Sequence, residues 1–186
     1  IPLVIGNIFQ QFYSMVDTII VGKYVGKTAL AAVGSTGSLN FMIIGFGIGI
    51  CSGFGIPIAQ SFGGKKIQDM KKYIVNSFYL CMLITAIMTI ATVIALPSVL
   101  ELMQTPSDIY QQAYDYIVVI CAGTGAVVLY NLLASIMRAV GDSKTPLYFL
   151  IISAVLNIFL DLLFIIVFYM GVKGAAYATI LSQGIA

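Results

Sequence analysis

Two aspartates, Asp17 and Asp161, stand inside long apolar stretches of this 186-residue sequence. A carboxylate at the centre of a bilayer costs about 2.5–3.5 kcal/mol on insertion scales, so it persists there with a partner or a task. Pro2 precedes Asp17 by fifteen residues, and Pro146 precedes Asp161 by the same interval. Proline at a helix start loses nothing, because the first N–H groups have no intrahelical acceptor. At about 1.5 Å per residue both carboxylates climb ~22 Å from one side, provided their helices run in the same direction. A shared site needs matched depth, and scattered structural aspartates would show it only by coincidence. The plain alternative is that each carboxylate caps or pairs with a neighbour.

Both aspartates belong to polar stripes. Asn7, Gln10, Ser14 and Asp17 recur at helical spacing, with Gln11 and Thr18 widening the stripe. Ile5, Ile8, Phe12, Val16 and Ile19 cover the rest of that helix, which makes it apolar outward and polar inward. Ser153, Asn157 and Asp161, four apart, share one face of the later helix. Counting from the nearest charged helix end brings Thr179 and Tyr116 to the same level. Two carboxylates, an amide oxygen and hydroxyls form a set of hard oxygens. Such a set at Asp17, Asn157, Asp161 and Thr179 can bind Na⁺, or the two carboxylates can share a proton. Gln10 and Ser14 would line the same interior, and Asn131, Ser135 and Arg138 would face it nearer one end, although Arg138 also suits an interfacial anchor.

The elements that position these groups are membrane helices. Hydrophobic residues make up 60% of the chain and charged residues 9%, against about 25% charged in soluble domains. Spans of about 20 apolar residues fall at 2–21, 38–62, 74–96, 109–137 and 146–170, with a sixth starting near 174 and cut off at 186. The fold class is therefore all-α: a polytopic transmembrane helix bundle with five full spans plus a truncated sixth. The chain opens at Ile1 inside an apolar stretch and stops at Ala186 in mid-helix, which predicts a piece of a longer protein. Gly- and Pro-punctuated connections are expected at 22–37, 63–72 and 138–146. Gly45, Gly49 and Gly53 form a small-residue stripe on the second span, expected to pack closely against a neighbouring helix, with a hinge near Pro57 as the functional alternative.

Charge adds orientation and exclusions. Lys65, Lys66, Lys71, Lys72, Arg138 and Lys144 fall on one side, and Lys23, Lys27 and Lys173 on the other. The richer side is the cytoplasmic one, which puts the N-terminus in the cytoplasm of a cell-membrane protein. The four loop lysines suit a solvated connection that touches lipid headgroups. A net charge of +2 is too small for a nucleic-acid partner. Without His or a CxxC pair, the common zinc and haem sites lack ligands. The three cysteines, Cys51, Cys81 and Cys121, are odd in number and far apart in apolar runs, so no disulfide framework is expected.

At these residues the chain resembles the multidrug and toxic compound extrusion (MATE) transporters. The likeness runs through Gln10–Thr18, Val21–Gly26, Ala29–Gly34, Phe62–Lys65, Arg138–Pro146, Asn157–Asp161 and Gly171–Thr179. It implies a twelve-helix fold of two lobes around a central cavity, of which this chain would be most of the N-terminal one. It also implies exchange of Na⁺ or H⁺ for amphipathic, often cationic, small molecules, with no other cofactor and no catalysis. The second lobe of the same polypeptide and the surrounding lipid would be the partners. Carried over by position, Asp17, Tyr116, Asn157, Asp161 and Thr179 take cation-coupling places, and Gln10 lines the cavity below Asp17.

Three rivals remain at this level. A lipid-linked saccharide flippase of the same broad superfamily would be expected to bury cationic groups for pyrophosphate, and the two Asp-bearing spans have none. An intramembrane aspartyl protease would have to use Asp115 and Asp142, but Asp142 sits in a polar connection and the GxGD glycine pattern is incomplete. A non-transporting packing subunit leaves the matched acidic depth without a reason.

Overall fold

The computed structural model describes residues 2–185; the side chains of 2–5 and of Asn7 lie outside the described ones, and with them the Ile5 and Asn7 places in the expected stripes. Helices follow one another as α1 (Pro2–Tyr24), α2 (Lys27–Ser35), α3 (Gly37–Gly63), α4 (Ile67–Leu102), α5 (Ser107–Ala139), α6 (Thr145–Leu162) and α7 (Gly171–Ile185). A five-residue π-helical turn, Leu163–Val167, continues α6. Among the described residues no strand occurs. Among the described residues four helices are long and apolar enough to cross a membrane: α3, α4, α5, and α6 with its π-helical turn. α1 is 23 residues long but is not among them, since its polar stripe dilutes its hydropathy.

The segment 22–37, expected to be a connection, contains α2. Its run Ala29, Leu30, Ala31, Ala32 has high helix propensity, and buried Ala29 and Ala32 let it dock on the core. Nine residues are too few to span a membrane, and a search for long apolar runs passes over them.

α5 is the central helix. Just over half of its most apolar window (56%) is buried, against 28% in α3 and 17% in α4. α2, α3, α4 and α7 all pack on it, while α1 lies against α6. Small residues allow close approach. A Cβ on Gly123 of α5 would stand 2.2 Å from Ile180 side-chain atoms of α7. On α3 the glycines in contact are Gly47 and Gly55, which face Val128 and Ser135 of α5.

This corrects the expectation for Gly45, Gly49 and Gly53. A Cβ on any of them would meet nothing within 4 Å, so the packing stripe is Gly47, Cys51 and Gly55 on another face of the same helix. Both sets repeat every four residues, and the repeat alone does not say which face meets a neighbour. Cys51 in that stripe lies 3.9 Å, sulfur to sulfur, from Cys81 of α4, and all three cysteines are free.

Three of the turns share one closure. Lys66 N–H donates to the Ser61 carbonyl, Thr105 to Leu100 and Asp142 to Met137, each reaching back five residues. The residue before each donor has positive φ: Lys65, Gln104 and Gly141. This is the Schellman arrangement, which satisfies carbonyls left over at a helix end. Gly141, at φ 93°, holds a conformation that side chains rarely adopt. Beyond it, Asp142 Oδ1 accepts the N–H groups of Lys144 and Thr145 at 3.1 and 3.0 Å and so opens α6. The Thr145 hydroxyl and these N–H groups hold the Asp142 carboxyl below the usual carboxylate range.

The α5–α7 contact makes a stability prediction. Gly123→Ala in the full-length protein should cost about 1–3 kcal/mol by overpacking against Ile180. Adding Ile180→Ala should recover much of the loss in thermal unfolding. An unchanged melting temperature in Gly123→Ala would show that the two helices are not this close.

Candidate functional site

α1 presents one face to α6 and to a cavity, and the other outward. Ile8, Phe12 and Ile19 are exposed, as lipid-facing side chains are, whereas Asp17 is 8% exposed. Asp161 and Asn157 on α6 are 0% and 1% exposed, so both are sealed inside the bundle. Ser153 is also buried on that face.

The Asp17 and Asp161 carboxyls lie within hydrogen-bonding reach of each other. Next to them the Asn157 amide donates to Thr179 Oγ1 at 3.5 Å, and Thr179 in turn donates to the Ala175 carbonyl at 3.1 Å. Tyr116 of α5 is buried and stands near both carboxyls. The structure thus brings Asp17, Asp161, Asn157, Thr179 and Tyr116 into one region.

This region carries a hydrogen-bond deficit that falls mainly on carboxyl oxygens. Asp17 Oδ1, Asn157 Oδ1 and both carboxyl oxygens of Asp161 are buried without a donor among the described residues. Buried carboxylates without a partner are strongly disfavoured. A proton shared by the pair, or a small cation among these oxygens, removes the deficit. Among the described residues no three His, Cys, Asp or Glu side chains cluster as a metal site. The donor set of two carboxyls, an amide oxygen and a hydroxyl suits a hard, weakly charged ion rather than zinc.

A cavity of about 550 Å³ opens against Asp17. Gln10, Ser14, Thr18, Asn40, Tyr116 and Thr179 line it with Asp17, but Asn157 and Asp161 do not. Asp17 therefore stands between the cavity and Asp161. A second cavity, about 590 Å³, lies toward the end that carries the 63–67 and 139–145 turns. Asn131, Ser135 and Arg138 line this one, and the Asn131 amide donates to its own helix at Val127 at 2.8 Å. Asn131 is therefore not part of the carboxyl cluster. Gln10, Ile48 and Gln183 belong to both cavities and mark where they meet.

The sequence reading missed two residues at that junction. Gln183 of α7 donates to the Tyr13 hydroxyl at 3.2 Å, and both side chains are buried. Signals for them existed. Tyr13 lies four residues before Asp17, within the polar face, and Gln183 lies one turn beyond Thr179. The two protease candidates are otherwise engaged: Asp115 pairs with Lys173 at 3.2 Å, and Asp142 serves the turn into α6.

The MatE family model matches residues 2–163. The "Probable multidrug resistance protein YpnP" of Bacillus subtilis is 35% identical over 100% of this chain, which covers 42% of that protein. An "Outward-facing conformation of a multidrug resistance MATE family transporter of the MOP superfamily" superposes with a TM-score of 0.92 at 31% identity, over 99% of this chain and 41% of its own. An "Inward-facing conformation" of such a transporter gives 0.88 at 31% identity, over 94% and 39%. The chain thus spans about two fifths of the length of the proteins it matches.

The junction can be tested by a double-mutant cycle. Tyr13→Phe and Gln183→Leu should each lower the stability of the full-length protein, and together cost less than their sum, with a coupling of about 0.6 kcal/mol as is common within membranes. Strict additivity in denaturant titrations would mean that the hydrogen bond carries no weight.

Proposed function

The chain belongs to the MatE family, and from that premise we propose that it is the N-terminal lobe of a cation-coupled exporter of amphipathic small molecules. One observation carries the reading: two carboxyls buried within reach of each other at a cavity edge, with oxygens that lack donors. The relatives that carry multidrug names support the cargo class.

The coupling ion, Na⁺ or H⁺, binds among Asp17, Asn157, Asp161 and Thr179, with Tyr116 at its edge. Asp17 lines the cavity and Asp161 lies behind it, so the ion and a cationic substrate compete for the negative charge of one pair. Ion uptake neutralises the pair, weakens the hold on the cation and favours a rearrangement of α1, which is joined to the bundle mainly through α6. Transport requires the ion and the substrate to differ in their preference for two states. That solved relatives occur in outward- and inward-facing forms supports alternating access. The excess of Lys and Arg around the turns 63–67 and 139–145 favours a cytoplasmic N-terminus in the plasma membrane.

Asp17→Asn and Asp161→Asn should each abolish efflux of a cationic dye from proteoliposomes of the full-length protein while membrane insertion persists. A Na⁺ jump against a pH jump as the driving force identifies the ion. Full efflux by both variants would end this mechanism.

A further inference from the structure

The two cavities differ in charge. Asp17 is the only anionic residue lining the first, and Arg138 the only cationic residue lining the second, among the described residues. Arg138 sits in the last turn of α5, where a cation ordinarily settles on unsatisfied carbonyls. Those carbonyls are already engaged: Val140 donates to Ile136, Asp142 to Met137 and Gly141 to Arg138's own carbonyl. Among the described residues no carboxylate pairs with Arg138, since the one ion pair is Lys173–Asp115 and Asp142 is turned to the N–H groups of Lys144 and Thr145.

A half-buried guanidinium therefore faces a cavity with its five donors uncommitted. Among the described residues the Arg138 side chain makes no hydrogen bond to a neighbour, and the polar hydrogens around it point elsewhere. The Tyr130 hydroxyl donates to the Pro146 carbonyl at 3.1 Å, and the Asn131 amide is spent on Val127. A headgroup anchor would sit on the outer surface, where Lys65, Lys66, Lys71 and Lys72 are all exposed. Arg138 instead shares its cavity with Gln10 and Gln183, the residues that open toward Asp17.

We propose that Arg138 forms an anion subsite of this cavity, the specificity-determining residue that holds the carboxylate or phosphate of an amphipathic substrate. A planar guanidinium meets either oxyanion in a bidentate fork. This rests on the reading that the lobe lines a transport cavity, but it concerns equilibrium binding and needs no ion gradient.

The test uses purified full-length protein in phosphatidylcholine nanodiscs and two fluorescent probes, a rhodamine dye as its free carboxylic acid and the same dye as its ester. The wild type should bind the acid about tenfold more tightly than the ester. Arg138→Gln should erase that preference and leave ester affinity unchanged, which also reports an intact cavity. Arg138→Lys should keep part of it. Equal binding of the two dyes by the wild type would overturn the proposal, as would equal weakening of both in Arg138→Gln. Adding phosphatidylglycerol should leave the preference in place, and its loss there would make Arg138 a headgroup anchor instead. If efflux fails under every gradient while the acid preference persists, only the coupling reading falls.

Discussion

The structure of this lobe turns on holding two carboxyls together out of water. In an apolar medium neither Asp17 nor Asp161 is stable as an isolated anion, and like charges at hydrogen-bonding distance make both together worse. The pair is consistent only with something positive between or upon it. That demand explains why the polar faces of α1 and α6 turn toward each other and why Asn157 and Thr179 sit alongside. It also fits the cavity that is lined by Asp17 and not by Asp161. On the proposed reading, an ion bound for Asp161 would come from the cavity past Asp17.

The remaining helices serve this arrangement by being close-packed elsewhere. α5 runs through the middle and brings Tyr116 to the pair; its Gly123 lets α7 approach it, and Gly47 and Gly55 of α3 let that helix approach. Most polar side chains in these helices answer to their own backbone, as Thr124 does to Ile120 and Thr179 to Ala175. The donorless oxygens of Asp17, Asn157 and Asp161 differ from those of Asn40, Thr105, Gln112 and Gln183 in that three of the four belong to carboxyls, whose charge makes burial without a partner the most costly.

Legibility followed the physics that sequence carries. Intramembrane charge is expensive, so two aspartates in apolar runs were conspicuous, and two helix-starting prolines fixed their relative depth. What sequence spacing does not carry is which face meets which neighbour. The glycines at 45, 49 and 53 and those at 47 and 55 have the same periodicity, and only the placement of α5 separates them. α2 was invisible for a different reason: nine residues make no span, and its burial depends on α5 being there to receive Ala29 and Ala32. Gln183 went unread because an amide on a short, truncated run looks like a helix end until Tyr13 is brought opposite it.

The junction of Gln10, Tyr13 and Gln183 links the carboxyl pair to the rest of the cavity system. Tyr13 is one turn below Asp17 on α1, and its hydroxyl is held by Gln183, one turn beyond Thr179 on α7. Two polar contacts of α1 meet in this region: a carboxyl contact to α6, which on the proposed reading answers to bound ion or proton, and a neutral hydrogen bond to α7, which does not. Loading the pair would change the first and leave the second. On the proposed reading, a helix held at two levels, with only one level sensitive to the ion, would be loaded unevenly along its length and would tilt about the insensitive contact. The Tyr13–Gln183 bond would then act as the fulcrum, at the same place where the compartment containing Asp17 meets the one containing Arg138.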